Sequence, residues 1–323
     1  MRIAVFALTL MGLWPLTAEG QSLKEIAYVS SADQSKQPAM FYAPNTKEPV
    51  PLVVALHTWS GDYKQEFHKD VAEWCLKNGW AYIHPDFRGP NVRPEATGSE
   101  LVVADILSAV EYAKKAANID ASAIYLVGTS GGGYAALLMA GRHPEVWAGV
   151  SAWAAISDLK AWYLESERAN RDYYKQIARS CGGPPGQSAA VDEQYRKRSP
   201  QTYLAAAKGL RLHINAGIGD TLVPISHSLD AFNEVADPAD RLSEDEIREF
   251  VEKAAVPAHL KMLISDPSYG QNRPLFRRTS GTATVTVFQG GHEIVPEAAM
   301  AWFQKIYEDR RSKSTGAGRD QRE

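Results

Sequence analysis

Gly128-Thr129-Ser130-Gly131-Gly132 sets a serine between two glycines, each two positions away. The apolar run AIYLV precedes it, and a small-residue helical stretch from Tyr134 to Gly141 follows. A strand that turns sharply into a helix holds its central side chain out at the tip, and flanking glycines let the backbone pass without clashing. The same residues also fit a glycine-rich turn in which Ser130 caps the next helix. A serine hydroxyl attacks a carbonyl only when a base removes its proton. Of the eight histidines, His292 in FQGGHEIVP lies between the last apolar run and the last helical stretch, on a loop that Gly290 and Gly291 keep permissive. His57 precedes the serine and suits the loop that would receive a developing oxyanion. His227, beside Asp230 on a helical stretch, reads as a helix-surface or supporting residue. The base needs an acid to fix its tautomer. Asp220 in AGIGDTLVP follows the run LRLHINA and is the best placed, although it also fits an N-cap for the helix starting at Val223-Pro224. Asp158 is the alternative. Two backbone N–H groups should face the oxyanion. One is that of Gly131; the other comes from His57-Thr58-Trp59-Ser60-Gly61, assigned to Trp59 with Thr58 as the alternative.

These residues need a frame that brings their loops together. EIAYVS and AMFYAP read as leading strands, PLVVALH and WAYIHP as buried strands, and Gly98 to Ala117 as a helix with apolar residues at helical spacing. Strands and helices alternate through the first half, which predicts a mainly parallel central sheet with helices on both faces. The alternation breaks twice. Residues 157–207, with Trp162, Tyr163, Tyr173 and Tyr174, form an aromatic insertion expected to line or lid the pocket. Residues 237–280 form a second insertion, with a helix in SEDEIREFVEKAA that Ser243 and Glu246 should close as a capping box. TATVTVF is the last strand, and PEAAMAWFQKIYEDRR the closing helix.

Composition narrows the rest. The chain has 323 residues, 45% of them hydrophobic, and a formal net charge of -3, which supplies no basic field for nucleic acid. Arg2, an apolar run from Ile3 to Leu16 and small residues at Ala18 and Gly20 have the layout of a signal peptide over residues 1–20. Secretion or export to a periplasm follows, with no membrane insertion expected. Residues 21–311 would be the catalytic domain, and the polar tail 312–323 disordered. Cys75 and Cys181 could bridge in an oxidising compartment or remain two buried thiols. No metal-ligand spacing and no phosphate loop occurs, so no cofactor is expected.

With DFRGPN, VADILSAVEYA, GTSGGGYAALLMAGRHPEVWAGVSAW, GIGDTLVP and GGHE in view, residues from about 50 to 310 resemble the α/β-hydrolase superfamily. More closely, they are similar to the catalytic domain of the prolyl oligopeptidase family. The resemblance implies an α/β-hydrolase fold with Ser130, Asp220 and His292 as a triad. The family's peptidases usually carry a β-propeller, for which about 30 residues ahead of the first core strand leave no room. That departure moves the expectation toward an ester hydrolase working through an acyl-enzyme. Its substrate would be a small-molecule or polysaccharide-linked ester. A peptidase, or a catalytically silent binding protein on the same scaffold, is the alternative.

Overall fold

The computed structural model describes residues 22–317, with side chains from 22 to 312. The signal segment expected at 1–20 and residues 318–323 of the expected tail lie outside the described residues.

The chain enters through an antiparallel hairpin, β1 (Lys24–Val29) and β2 (Lys36–Tyr42). Then come β3 (Val50–Leu56), α1 (Lys69–Asn78), β4 (Ala81–Pro85), α2 (Glu100–Ala116), β5 (Ile119–Thr129), α3 (Gly131–Arg142) and β6 (Gly149–Trp153). Helices α4 (Leu159–Arg168), α5 (Tyr173–Cys181) and α6 (Ala189–Arg198) precede β7 (Leu212–Gly217) and α7 (Ser226–Val235). The chain closes with α8 (Glu244–Lys253), β8 (Pro274–Ser280), β9 (Ala283–Phe288) and α9 (Pro296–Ala317). One nine-stranded sheet results, in the order β1-β2-β4-β3-β5-β6-β7-β9-β8. All pairings from β4 through β3, β5, β6 and β7 to β9 are parallel. The β1–β2, β2–β4 and β8–β9 pairings are antiparallel. This is the α/β-hydrolase fold that the alternation and the resemblance imply.

Strands β3, β4, β6 and β7 are buried along their whole length, as strands of a parallel sheet covered on both faces are. Alternate residues serve opposite faces. Leu52, Val54 and Leu56 join a core with α2, α3 and α7; Val53 and Ala55 join one with α1 and α9. Cys181 belongs to the first core and Cys75 to the second, so the sheet separates the two thiols and both are free.

The first insertion is α4 to α6 and the turns after them, between β6 and β7. The second holds α8, whose Ser243–Glu246 capping box forms as read. It also holds a strand the pattern did not reveal. In β8, PLFRRTS, only alternate positions are buried, and Arg277 and Arg278 stand at a sheet edge. Charged edge strands have little apolar signature. Helix α9 carries on to Ala317, into the expected tail. No helix among the described residues is long and apolar enough to cross a membrane.

Candidate active site

Strand order reverses beside β3, because the chain places β4 on one side of it and β5 on the other. Open α/β sheets form a crevice outside the carboxyl ends of such strands. The loops after β3 and β5 carry Trp59 and Ser130, and the loops after β7 and β9 carry Asp220 and His292.

Ser130 joins β5 to α3 at φ 58 and ψ -120, a backbone conformation that costs a non-glycine residue on the order of 1–3 kcal/mol. Its N–H donates to the Trp153 carbonyl at 2.9 Å, which pins the turn to β6. Its side chain makes no capping bond to α3, so the capping role that the sequence left open is not taken. The glycines are needed sterically. A Cβ at Gly128 would overlap the Gly132 carbonyl, one at Gly132 the Leu56 carbonyl, and one at Gly133 the Trp153 carbonyl. At Gly131 a Cβ would overlap the backbone of Trp59, so those two segments touch.

That contact bears on the choice between Trp59 and Thr58. The Thr58 N–H donates to Gln65 Oε1 at 2.9 Å, and the Thr58 hydroxyl accepts from Gln65 Nε2 at 2.7 Å. The Thr58 carbonyl faces His57 Nδ1 at 2.9 Å. The Trp59 carbonyl accepts from Asn91 N–H at 2.8 Å, and the Trp59 indole donates to Gln176 at 2.7 Å. Of the two backbone N–H groups, only that of Trp59 has no acceptor among the described residues. It lies against Gly131, which opens α3 where first-turn N–H groups have no partner within the helix.

Asp220 and His292 are brought together. His292 Nδ1 lies 2.7 Å from Asp220 Oδ2, and the Asp220 side chain is only 1% exposed. Asp220 Oδ1 accepts the N–H groups of Leu222 and Val223 at 2.8 and 3.1 Å. A carboxylate with only acceptors makes Nδ1 the protonated ring nitrogen and leaves Nε2 free as a base. Asp220 does not cap α7, whose N-cap is Ile225. The His292 loop is braced on the neighbouring strand end: Gly219 N–H donates to the Gly290 carbonyl, and Gly291 N–H to Glu293 Oε1, at 2.8 and 2.9 Å. No hydrogen bond joins Ser130 Oγ to His292 among the described residues; such bonds are often long until substrate is bound.

The other candidates fall elsewhere. Asp158 caps α4, accepting from Lys160 and Ala161 N–H. His227 is buried rather than on a helix surface; its Nδ1 accepts from Ser157 N–H, and its Nε2 donates to Glu165 at 3.0 Å. It ties the first insertion to α7. In that insertion Trp162 is buried against Trp59, ring centroids 4.6 Å apart, so it packs under the Trp59 loop rather than lining a pocket. Half-buried Tyr173 stacks on it at 4.9 Å. Sequence reasoning missed Gln65, Asn91 and Gln176, which hold the loop. Nothing but a polar residue near a turn marks any of them in the sequence. Among the described residues no cluster of three His, Cys, Asp or Glu side chains could hold a metal ion.

Buried histidines surround this frame. His57 stacks on Phe87 with Nδ1 2.9 Å from the Thr58 carbonyl and Nε2 2.7 Å from the Asp86 carbonyl, of which a neutral ring can donate to one; His68 reaches Thr129 Oγ1 at 3.3 Å. Burial lowers His57, and takes His68 and His213 to about 3 and His84 to about 4. Below pH 6.5 the unfolded chain takes up these protons and the folded chain does not. Stability is therefore lost as the pH falls from about 6.5, and the loss levels off only near the folded values. By pH 4 it reaches about 3 kcal/mol for each of His68, His84 and His213. Three such groups rival a typical total of about 5–15 kcal/mol. Urea midpoints followed by tryptophan fluorescence should fall sharply between pH 7.5 and pH 4.5, and equal midpoints would contradict this.

The chain matches the model of the prolyl oligopeptidase family over residues 65–244, more than half its length. No curated protein matches it significantly. Among solved structures it is similar to uncomplexed acylaminoacyl peptidase of Pyrococcus horikoshii, with 17% identity, a TM-score of 0.58, and coverage of 89% of this chain and 41% of that one. It is also similar to a puromycin-hydrolyzing peptidase of Mycobacterium tuberculosis, with 14% identity, a TM-score of 0.56, and coverage of 88% and 38%. The chain thus spans well under half the length of these structures, and at such identities the likeness carries the fold alone. The family match covers the Ser130 turn and the Asp220 loop, and with it the chain belongs to the prolyl oligopeptidase family of serine hydrolases.

Proposed function

We propose that the protein is a serine peptidase that cleaves amide bonds of short peptides or aminoacyl amides through an acyl-enzyme. The observation that carries this reading is the match of the prolyl oligopeptidase family across Ser130 and Asp220, with His292 hydrogen-bonded to Asp220. Ester substrates, polysaccharide-linked ones included, gain no such support, since the structural relatives named above are peptidases.

In this reading Ser130 Oγ attacks the carbonyl carbon while its proton passes to His292 Nε2. The carbonyl oxygen becomes an oxyanion held by the N–H groups of Gly131 and Trp59. His292 then gives its proton to the departing amine as the C–N bond breaks. Water attacks the acyl-enzyme, His292 takes the water's proton, and the acid leaves with Ser130 restored. Asp220 keeps His292 in the tautomer the first step requires and stabilises its charged form.

The test begins with a fluorophosphonate probe, which should label Ser130. Aminoacyl-p-nitroanilides and p-nitrophenyl acetate are then compared, each relative to its uncatalysed hydrolysis, because the phenyl ester is intrinsically more reactive. The anilides should show the larger rate enhancement. Turnover of the ester with none of any anilide would sink the peptidase reading, and an unlabelled Ser130 would leave the silent binding protein.

A further inference from the structure

We propose that Gln65 is a positioning residue for the oxyanion, acting through Thr58 to present the N–H of Trp59. The inference rests on the acyl-enzyme reading above and adds a residue to it.

Backbone N–H groups stabilise an oxyanion well only when their direction is fixed before the charge develops. A loop between a strand and a helix has many ways to turn, and in a free loop either Thr58 or Trp59 could point its N–H at the site. Gln65 removes that freedom. Its amide is bidentate on one residue: Oε1 accepts the Thr58 N–H at 2.9 Å, and Nε2 donates to the Thr58 hydroxyl at 2.7 Å. An amide oriented by both contacts has one settled arrangement of oxygen and nitrogen.

The loop makes room for this clamp. A Cβ at Gly61 would overlap the Gln65 amide, so the glycine is the seat in which that amide lies. Gly61 N–H closes the turn on the Thr58 carbonyl at 3.2 Å, and Gln65 N–H donates to the Asp62 carbonyl at 3.0 Å. With its N–H engaged by Gln65, Thr58 cannot offer a backbone donor to a substrate. The next N–H along, that of Trp59, is left against Gly131 and the start of α3. Asn91 and Gln176 restrain the Trp59 carbonyl and ring from the other side. Among the described residues Gln65 makes no hydrogen bond to Ser130, Asp220 or His292, so its effect on chemistry must travel through the loop.

The experiment compares the wild-type chain with Gln65→Met, which keeps the length of the side chain and deletes both hydrogen bonds. Losing an oxyanion donor costs about 10²–10³ in kcat. Misdirecting one should cost part of that, about 10- to 100-fold, with KM changed less than about threefold because ground-state binding does not use the donor. A peptidyl boronate, whose tetrahedral adduct occupies the same position, should weaken by the same factor as kcat. The binding of a carboxylate product should hold. A purely structural role would instead lower the melting temperature and leave that split absent. If wild-type Ser130 takes no fluorophosphonate, the acyl-enzyme reading fails and this inference with it. If Ser130 is labelled, and Gln65→Met matches wild type in kcat and boronate affinity, the inference alone is overturned. Should Gln65→Met not fold, Thr58→Val removes only the hydroxyl partner. It is then expected to lower kcat two- to fivefold at unchanged KM, about 1 kcal/mol for one hydrogen bond, and a kcat equal to wild type would overturn the proposal.

Discussion

Ser130→Ala should lower kcat by about 10⁴- to 10⁶-fold while leaving the fold intact. The hydroxyl is the attacking atom in the proposed reaction and makes no capping bond that the fold would miss. The residual rate should stay above that of water, because the two oxyanion donors remain. Alanine tolerates φ 58 no better than serine, so the strain of the turn persists and thermal stability should change by less than about 0.5 kcal/mol. Ser130→Gly is the informative companion. It is equally inactive but relieves the left-handed conformation, and should unfold at a higher temperature than Ser130→Ala despite glycine's entropy cost. Calorimetry alongside a single-turnover assay separates the two effects. Retained turnover in Ser130→Ala would move the nucleophile elsewhere, and loss of its unfolding transition would make Ser130 structural.

The second large effect belongs to Asp220→Asn. The carboxylate has two jobs in the structure. One oxygen receives Leu222 and Val223 N–H, and the other faces His292 Nδ1 at 2.7 Å. An asparagine keeps its carbonyl oxygen on the two backbone donors and turns its NH₂ toward His292. The ring must then accept at Nδ1 and carry its proton on Nε2, where the base should be. The expected loss is about 10⁴-fold in kcat, with little change in fold. Fluorophosphonate labelling of Ser130 should slow in parallel, since that reaction needs the same base. Activity within tenfold of wild type would show that another group sets the tautomer.

The most legible parts of this chain were those with a local cause. A continuous apolar run announced β3, because burial on both faces leaves no room for alternation. Ser130 was legible because a crossing this tight excludes every Cβ at Gly128, Gly131 and Gly132. His292 and Asp220 could be chosen from chain order and strand ends. The pattern failed where structure depends on distant partners. β8 is held by β9, with a sequence too charged to read as a strand. His227 seemed to sit on a helix surface because its helix is polar nearby, yet Ser157 and Glu165 from the first insertion enclose it. Gln65 carries no mark at all, since its meaning is a pair of contacts seven residues back. For the substrate, the family match within the domain supports the peptidase alternative better than the ester reading, which rested on the length ahead of the first core strand.

Asp220 and His292 are 72 positions apart, and the second insertion fills the interval. Their meeting depends on β9 joining β7, a pairing that closes a long stretch of chain. Contacts of such sequence separation are slow to form, because the entropy of closing the loop is lost before any contact rewards it. The nucleophile turn, by contrast, lies between a strand and a helix that adjoin in sequence. On the proposed mechanism, a nascent chain would therefore own its serine well before it owned a working base, and it would be inert until its last strand had docked.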